Sequence, residues 1–192
     1  TDFRSSAERN SAPDRQVEGS QNIWLPVLEK MYSALGASEG RTSSVHGNDN
    51  LSGTLAFLQQ PAVKKILDGI YDSIVFDEDS RHNYATFLDS LVALPEGRAA
   101  LWHCTYGKDR CGWGTAFLLA ALGADRPLIV ADFAMSNIPF AKEIDGLATA
   151  ARAEGLEDEL IEYIYIIKGV SVAFFEKTLH TIDARYGSMD NF

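Results

Sequence analysis

Cysteine is scarce in this sequence. There are two in 192 residues, Cys104 and Cys111. A structural disulfide framework needs more cysteines, spread over wider loops. A structural zinc site needs four ligands, and nothing near either cysteine has ligand spacing. What remains is a catalytic thiol. Basic residues are also few: 17 Lys and Arg stand against 27 Asp and Glu, for a formal charge of -10. That balance argues against a nucleic-acid partner, which calls for a basic face. A phosphate-bearing substrate stays open, because a local cationic pocket can sit on an acidic protein. No apolar run approaches the roughly 18–20 residues that span a bilayer, so no integral membrane segment is expected. Internal repeats and coiled-coil heptads are absent. No secretory signal is visible. The first residue is Thr1 rather than Met, so the sequence reads as the inside of a larger gene product. Cytoplasmic and secreted locations both stay open.

What is present fits one soluble domain over residues 1–192, with 46% apolar and 23% charged residues. Asp2-Phe3-Arg4 reads as the end of a strand whose beginning is missing. The extreme C-terminus is expected to be missing as well. Ile23-Trp24-Leu25 reads as a short strand stopped at Pro26. Val27 to Leu35 has helical spacing and closes at Gly36. Residues 37–50 are rich in Gly, Ser and Asn, and are expected to form a mobile loop. Leu51 to Tyr71 is helical in pattern, with Pro61 opening a second segment. After an acidic break at Phe76 to Ser80, Tyr84, Phe87, Leu88, Leu91 and Val92 mark one buried helix face. Ala99 to His103, a short apolar run after the Pro95-Glu96-Gly97 turn, is expected to be a buried strand. Trp113 to Leu122, Pro127 to Met135, 140–153 and 157–168 read as helices. A last helix starts at Ser171 and ends at Gly187. The expected fold is α/β: a small, mostly parallel sheet surrounded by many helices.

The informative segment is His103-Cys104-Thr105-Tyr106-Gly107-Lys108-Asp109-Arg110-Cys111-Gly112. It lies between a predicted strand and a predicted helix. Such a turn aims loop N–H groups and a helix N-terminus at one point, which makes an anion nest. A cysteine at its base feels the helix dipole, the amides and Arg110, and these lower a thiol's pKa. The features that hold phosphate therefore also activate the nucleophile. Arg110 presents a planar fork that matches two phosphoryl oxygens. Thr105, Tyr106, Gly107, Lys108, Asp109 and Arg110 form the expected phosphate-binding loop, with Lys108 as a second charge at the rim. Asp109 either protonates the leaving group or holds Arg110 as an ion-pair partner. His103 is expected to be buried and hydrogen-bonded, facing away from Cys104. His46, His82 and His180 are expected to be structural or exposed.

The spacing C-x5-R is the signature of the protein tyrosine phosphatase superfamily. The run from His103 to Gly112 resembles the HCxAGKDRTG loop of the bacterial atypical tyrosine and lipid phosphatases, of the mycobacterial tyrosine phosphatase B and Listeria lipid phosphatase types. Asp2-Phe3-Arg4-Ser5-Ser6-Ala7-Glu8 resembles that family's DLRS-x-x-E segment. Val130 to Asn137 is similar to its ADYLxSN segment, and Ile182 to Ser188 to its closing I-D-x-x-Y-G-S. The likeness covers nearly the whole chain in order and is weakest over about 27–80.

The resemblance implies a tyrosine-phosphatase-like fold and a phosphatase with a phospho-cysteine intermediate. It implies no metal or other cofactor, and Asp109 as general acid. Its substrates would be phosphotyrosine proteins, with phosphoinositides possible through Lys108. Asp2 and Arg4 would buttress the loop. Glu29 is the nearest counterpart of a further acidic residue found in some members. Two positions depart from the pattern. Tyr106 replaces a small residue, which narrows or deepens the pocket mouth. Cys111 replaces Ser or Thr and is a weaker donor to the thiolate, so slower breakdown of the intermediate is expected. It also puts a second sulfur beside Cys104, which raises a reversible Cys104–Cys111 disulfide. Two rival readings stay open: a rhodanese-like sulfurtransferase and a non-catalytic phospho-binding module.

Overall fold

The computed structural model describes residues 1–34, 51–58 and 60–192. The predicted loop at 37–50, and His46 within it, lie outside them. The described residues are carried mainly by helices: α1 (Ser6–Ser11), α2 (Glu29–Ala34), α3 (Leu51–Leu58), α4 (Pro61–Asp68), α5 (Ile70–Phe76) and α6 (Glu78–Val92) come first. After the central loop follow α7 (Asp109–Ala121), α8 (Arg126–Met135), α9 (Ala141–Ala153), α10 (Asp158–Lys168) and α11 (Val172–Tyr186).

The expected parallel sheet is not there. Among the described residues there is no strand, only isolated parallel bridges from Asp2 to Trp24 and from Asp2 to His103. Five backbone bonds surround these bridges, including Asp2 N–H to Ile23 C=O and Phe3 N–H to His103 C=O, both at 2.9 Å. Each run is cut short. Ser5 caps α1 and turns the first run away. Pro26 follows the second and has no N–H. Cys104 bends the third into the loop. Ala99 to Leu101 is not buried either, and Leu101 is 73% exposed. Three extended pieces thus meet at the fully buried Asp2 without making a ladder.

The helices follow their local signals more closely. The predicted 51–71 segment is three helices, divided at Gln60-Pro61 and Gly69. Asp77 marks the acidic break by capping α6, accepting from the Ser80 N–H at 3.1 Å. Ser171 caps α11, and Gly187 ends it at φ 85°. Helix α1 lies in a polar stretch for which no helix was expected. Its reciprocal capping box, Ser5 with Glu8, explains it.

Helix α7 runs through the larger core, where Trp113 packs on Phe175 at 4.4 Å between ring centroids. Phe133 of α8 stacks on Phe175 at 3.9 Å. A Cβ at Gly112 would lie 2.7 Å from the Phe133 ring, so only glycine lets α8 approach α7 this closely. A second core joins α3, α4, α9 and α10 through Leu58, Leu67, Leu147, Ile161 and Ile164. Burying these side chains contributes roughly 1.5–3 kcal/mol each. The loop before α7 is thereby mounted on a helix buried in the larger core.

Candidate active site

Cys104 follows the His103 bridge directly and is 8% exposed. Helix α7 begins five residues later, and Gly112 N–H closes its first turn on Lys108 C=O at 2.8 Å. The loop therefore sits at the positive end of a helix. Gly107 has φ 69°, and its N–H donates to Cys104 Sγ at 3.3 Å. A Cβ at 107 would meet nothing within 4 Å, so the torsion and not space requires glycine.

The two thiols are free, and both are buried. The Cys104 pKa lies below the ordinary thiol range. The hydrogen bond from Cys111 is the main cause; burial opposes it, and the Arg110 charge and Gly107 N–H assist. Cys111 moves the other way, pushed up by the same hydrogen bond and by burial. The two shifts run in opposite directions, favouring ionisation at Cys104 and retention of the proton at Cys111. Cys111 provides the donor that a hydroxyl was expected to provide, although sulfur donates more weakly.

Arg110 is buried and pairs with Glu8 in a fork: Nη1 to Oε2 and Nη2 to Oε1, both at 2.7 Å. Glu8 also accepts from the Ser5 N–H at 2.9 Å, from the Ser5 hydroxyl at 2.8 Å and from the Thr105 hydroxyl. Burial pushes the Glu8 carboxyl up, but Arg110, Thr105 and Ser5 outweigh it and bring its pKa down to about 2. Glu8 thus fixes the guanidinium plane and ties α1 to the loop. Sequence reading did not single it out as a site residue. Its signals were the Ser5-x-x-Glu8 capping box and the DLRS-x-x-E likeness.

Asp109 opens α7. Its Oδ1 accepts from the Tyr71 hydroxyl at 3.1 Å, and its Oδ2 lies 3.4 Å from Lys108 Nζ. The carboxylate partner of Arg110 is Glu8, and Asp109 is held by Tyr71 and Lys108. Lys108 is not at the rim. It is 2% exposed, and Nζ donates to the carbonyls of Ile166, Ile167 and Gly169 at 2.8, 3.0 and 2.6 Å. A flexible stem lets the ammonium fold under the loop and cap the C-terminal end of α10. Burial draws its pKa down against the pull of Asp109. Tyr106 is on the outside of the loop, 44% exposed, and Thr105 is exposed beside it.

Beneath the loop, Arg4 grips the buried Asp2 with Nε to Oδ1 and Nη2 to Oδ2, both at 2.9 Å. Arg4 also reaches Asp14 Oδ1 at 2.6 Å and Ala12 C=O at 2.7 Å. Burial raises the Asp2 pKa, but the Arg4 bonds prevail and hold it below the usual range. His103 is half-buried. Its Nδ1 lies 3.4 Å from Cys104 C=O and its Nε2 3.2 Å from Asp14, so the ring faces away from the thiol. Asp2, Asp14 and His103 bring ligand atoms within 4.8 Å of one another. The Arg4 guanidinium already bridges the two carboxylates there. Glu29 accepts from the Ser6 N–H at 2.7 Å and from the Ser6 hydroxyl, binding α2 to the start of α1. His82 and His180 are exposed.

A cysteine at the base of an amide-lined loop, with a locked arginine six positions on, invites comparison with known proteins. The model of the tyrosine phosphatase family matches residues 1–192. The chain belongs to that family. It is 33% identical over 197 residues to a Cupriavidus necator protein provisionally named a tyrosine-protein phosphatase, covering 100% of this chain and 62% of that one. It is 33% identical over 110 residues to the triple specificity protein phosphatase PtpB of Mycobacterium tuberculosis, covering 53% of this chain and 40% of PtpB. The chain therefore spans less than two thirds of the length of either relative. None of the helices searched among the described residues is long and apolar enough to cross a membrane.

Proposed function

We propose that this family member hydrolyses phosphate monoesters, phosphotyrosine foremost, through a phospho-cysteine at Cys104. One observation carries the reading: Gly107 N–H, the Cys111 thiol and the Arg110 charge all favour the Cys104 thiolate. The Cys104 Sγ attacks phosphorus, forming the S–P bond as the P–O bond to the tyrosyl oxygen breaks. Arg110 and the loop amides take the charge on the phosphoryl oxygens. Asp109 gives its proton to the departing phenoxide. Water then attacks the phospho-cysteine, Asp109 accepts a proton, and the S–P bond breaks to phosphate and thiolate. The Cys111 thiol steadies the sulfur as it leaves.

The name of the mycobacterial relative, triple specificity, keeps substrates beyond phosphotyrosine within this proposal. Phosphoinositides are the lipid class to test. Lys108 does not support them, because its ammonium is held among buried carbonyls. The test is hydrolysis of p-nitrophenyl phosphate in excess chelator. Activity that vanadate blocks and Cys104→Ser abolishes is the expected result. Phosphate binding without turnover returns the phospho-binding module, and sulfur transfer from thiosulfate returns the sulfurtransferase.

A further inference from the structure

Tyr71 lies on α5, 38 positions before Asp109, and touches it. Its ring is 1% exposed and packs edge-on against Phe133 and Trp113, with centroids 5.7 and 6.3 Å away. The hydroxyl leaves this apolar cage at one point and makes two hydrogen bonds. It accepts from the Ser171 N–H at 3.2 Å and donates to Asp109 Oδ1 at 3.1 Å. While Asp109 is ionised, the amide N–H only donates, and the one phenol proton goes to the carboxylate. Burial, and then the Asp109 charge, push the Tyr71 pKa well above its ordinary value, so the proton stays on the ring oxygen.

The amide is itself fixed, because Ser171 caps α11. The other oxygen of Asp109 faces Lys108, which is anchored to Ile166, Ile167 and Gly169. Both holds on Asp109 therefore lead to the connection between α10 and α11, one through Tyr71 from outside the phosphate loop and the other through the loop's own Lys108. We propose that Tyr71 is the positioning residue that sets the Asp109 carboxyl for proton transfer to the leaving group. This rests on the role of Asp109 given above. A general acid matters most when the leaving oxygen is strongly basic. Misplacing it therefore slows poor leaving groups and spares good ones, whereas a structural defect slows both alike.

The variant is Tyr71→Phe, which keeps the ring contacts. It is assayed on phenyl phosphate, a poor leaving group, and p-nitrophenyl phosphate, a good one, beside Asp109→Asn. For Tyr71→Phe, kcat falls about tenfold or more on phenyl phosphate and by less than about threefold on p-nitrophenyl phosphate, with KM held. In the double variant the phenyl phosphate loss does not exceed that of Asp109→Asn alone. Equal losses on both substrates, or none, overturn the proposal for Tyr71. If Asp109→Asn itself shows no leaving-group dependence, the acid reading fails instead, and Tyr71 falls with it. Should Tyr71→Phe not fold, 3-fluorotyrosine at position 71 keeps the ring and strengthens the donor. A changed ratio of the two rates supports the proposal, and an unchanged ratio overturns it.

Discussion

Glu8→Gln removes one charge from a buried fork without leaving a hole. Glu8 and Arg110 are 6% and 5% exposed. Both Glu8 oxygens accept from Arg110 at 2.7 Å, so whichever position the new amide nitrogen takes, its N–H groups face a guanidinium donor. Breaking one side of a buried pair costs about 3–5 kcal/mol. Linkage gives a similar figure. The Glu8 pKa is about 2 against an ordinary 4.5. At 1.36 kcal/mol per unit, that difference is about 3 kcal/mol. The folded pKa is the lower one, so this stability is present above about pH 4.5 and is lost as pH falls toward 2. For a chain of 192 residues, the variant should melt about 6–20 °C lower near neutral pH. The gap to wild type should close as the melt is repeated down to pH 3. With Arg110 no longer held in plane, kcat/KM on p-nitrophenyl phosphate should fall about 100-fold. A melting point within about 2 °C of wild type at pH 7, with activity also retained, would refute the reasoning.

Three further outcomes follow from the same geometry. Gly107→Ala forces a side chain to φ 69° and displaces the N–H that faces Cys104; stability should fall by about 1–2 kcal/mol in denaturant melts, with activity lost as well. Cys111→Ala removes the donor that most lowers the Cys104 pKa, so the midpoint of iodoacetamide alkylation against pH should move up; an unchanged midpoint would count against that assignment. Lys108→Met leaves three carbonyls of the α10 end without their ammonium donor; the cost should be about 1–3 kcal/mol by thermal melt, with no change in the ratio of phosphoinositide to phosphotyrosine hydrolysis.

The loop was legible because its chemistry is local. Cys104, Gly107 and Arg110 sit within seven residues, and the apolar run after Trp113 announces the helix that carries them. The later helices were legible from caps such as Ser171 and Gly187. The sheet was misread because Ala99 to His103 is short and apolar, and such a run does not reveal whether neighbours extend beside it. Here Pro26, the Ser5 cap and the turn at Cys104 end each pairing within a residue or two. Lys108 was misplaced at the rim because charge is read from sequence, but the direction of a four-carbon stem is not. Glu8 stands 102 positions from Arg110, and Tyr71 stands 38 from Asp109. Only the fold brings those partners together, so the residues that hold the loop were hidden while the loop itself was plain.

The central claim is that Cys104 takes the phosphoryl group. Rapid quenching of turnover with a radiolabelled aryl phosphate tests it most directly. The account predicts a burst of phenol release, with label held on the Cys104 peptide and neither burst nor label in Cys104→Ser. Label on another residue, or turnover that survives Cys104→Ser, would contradict it.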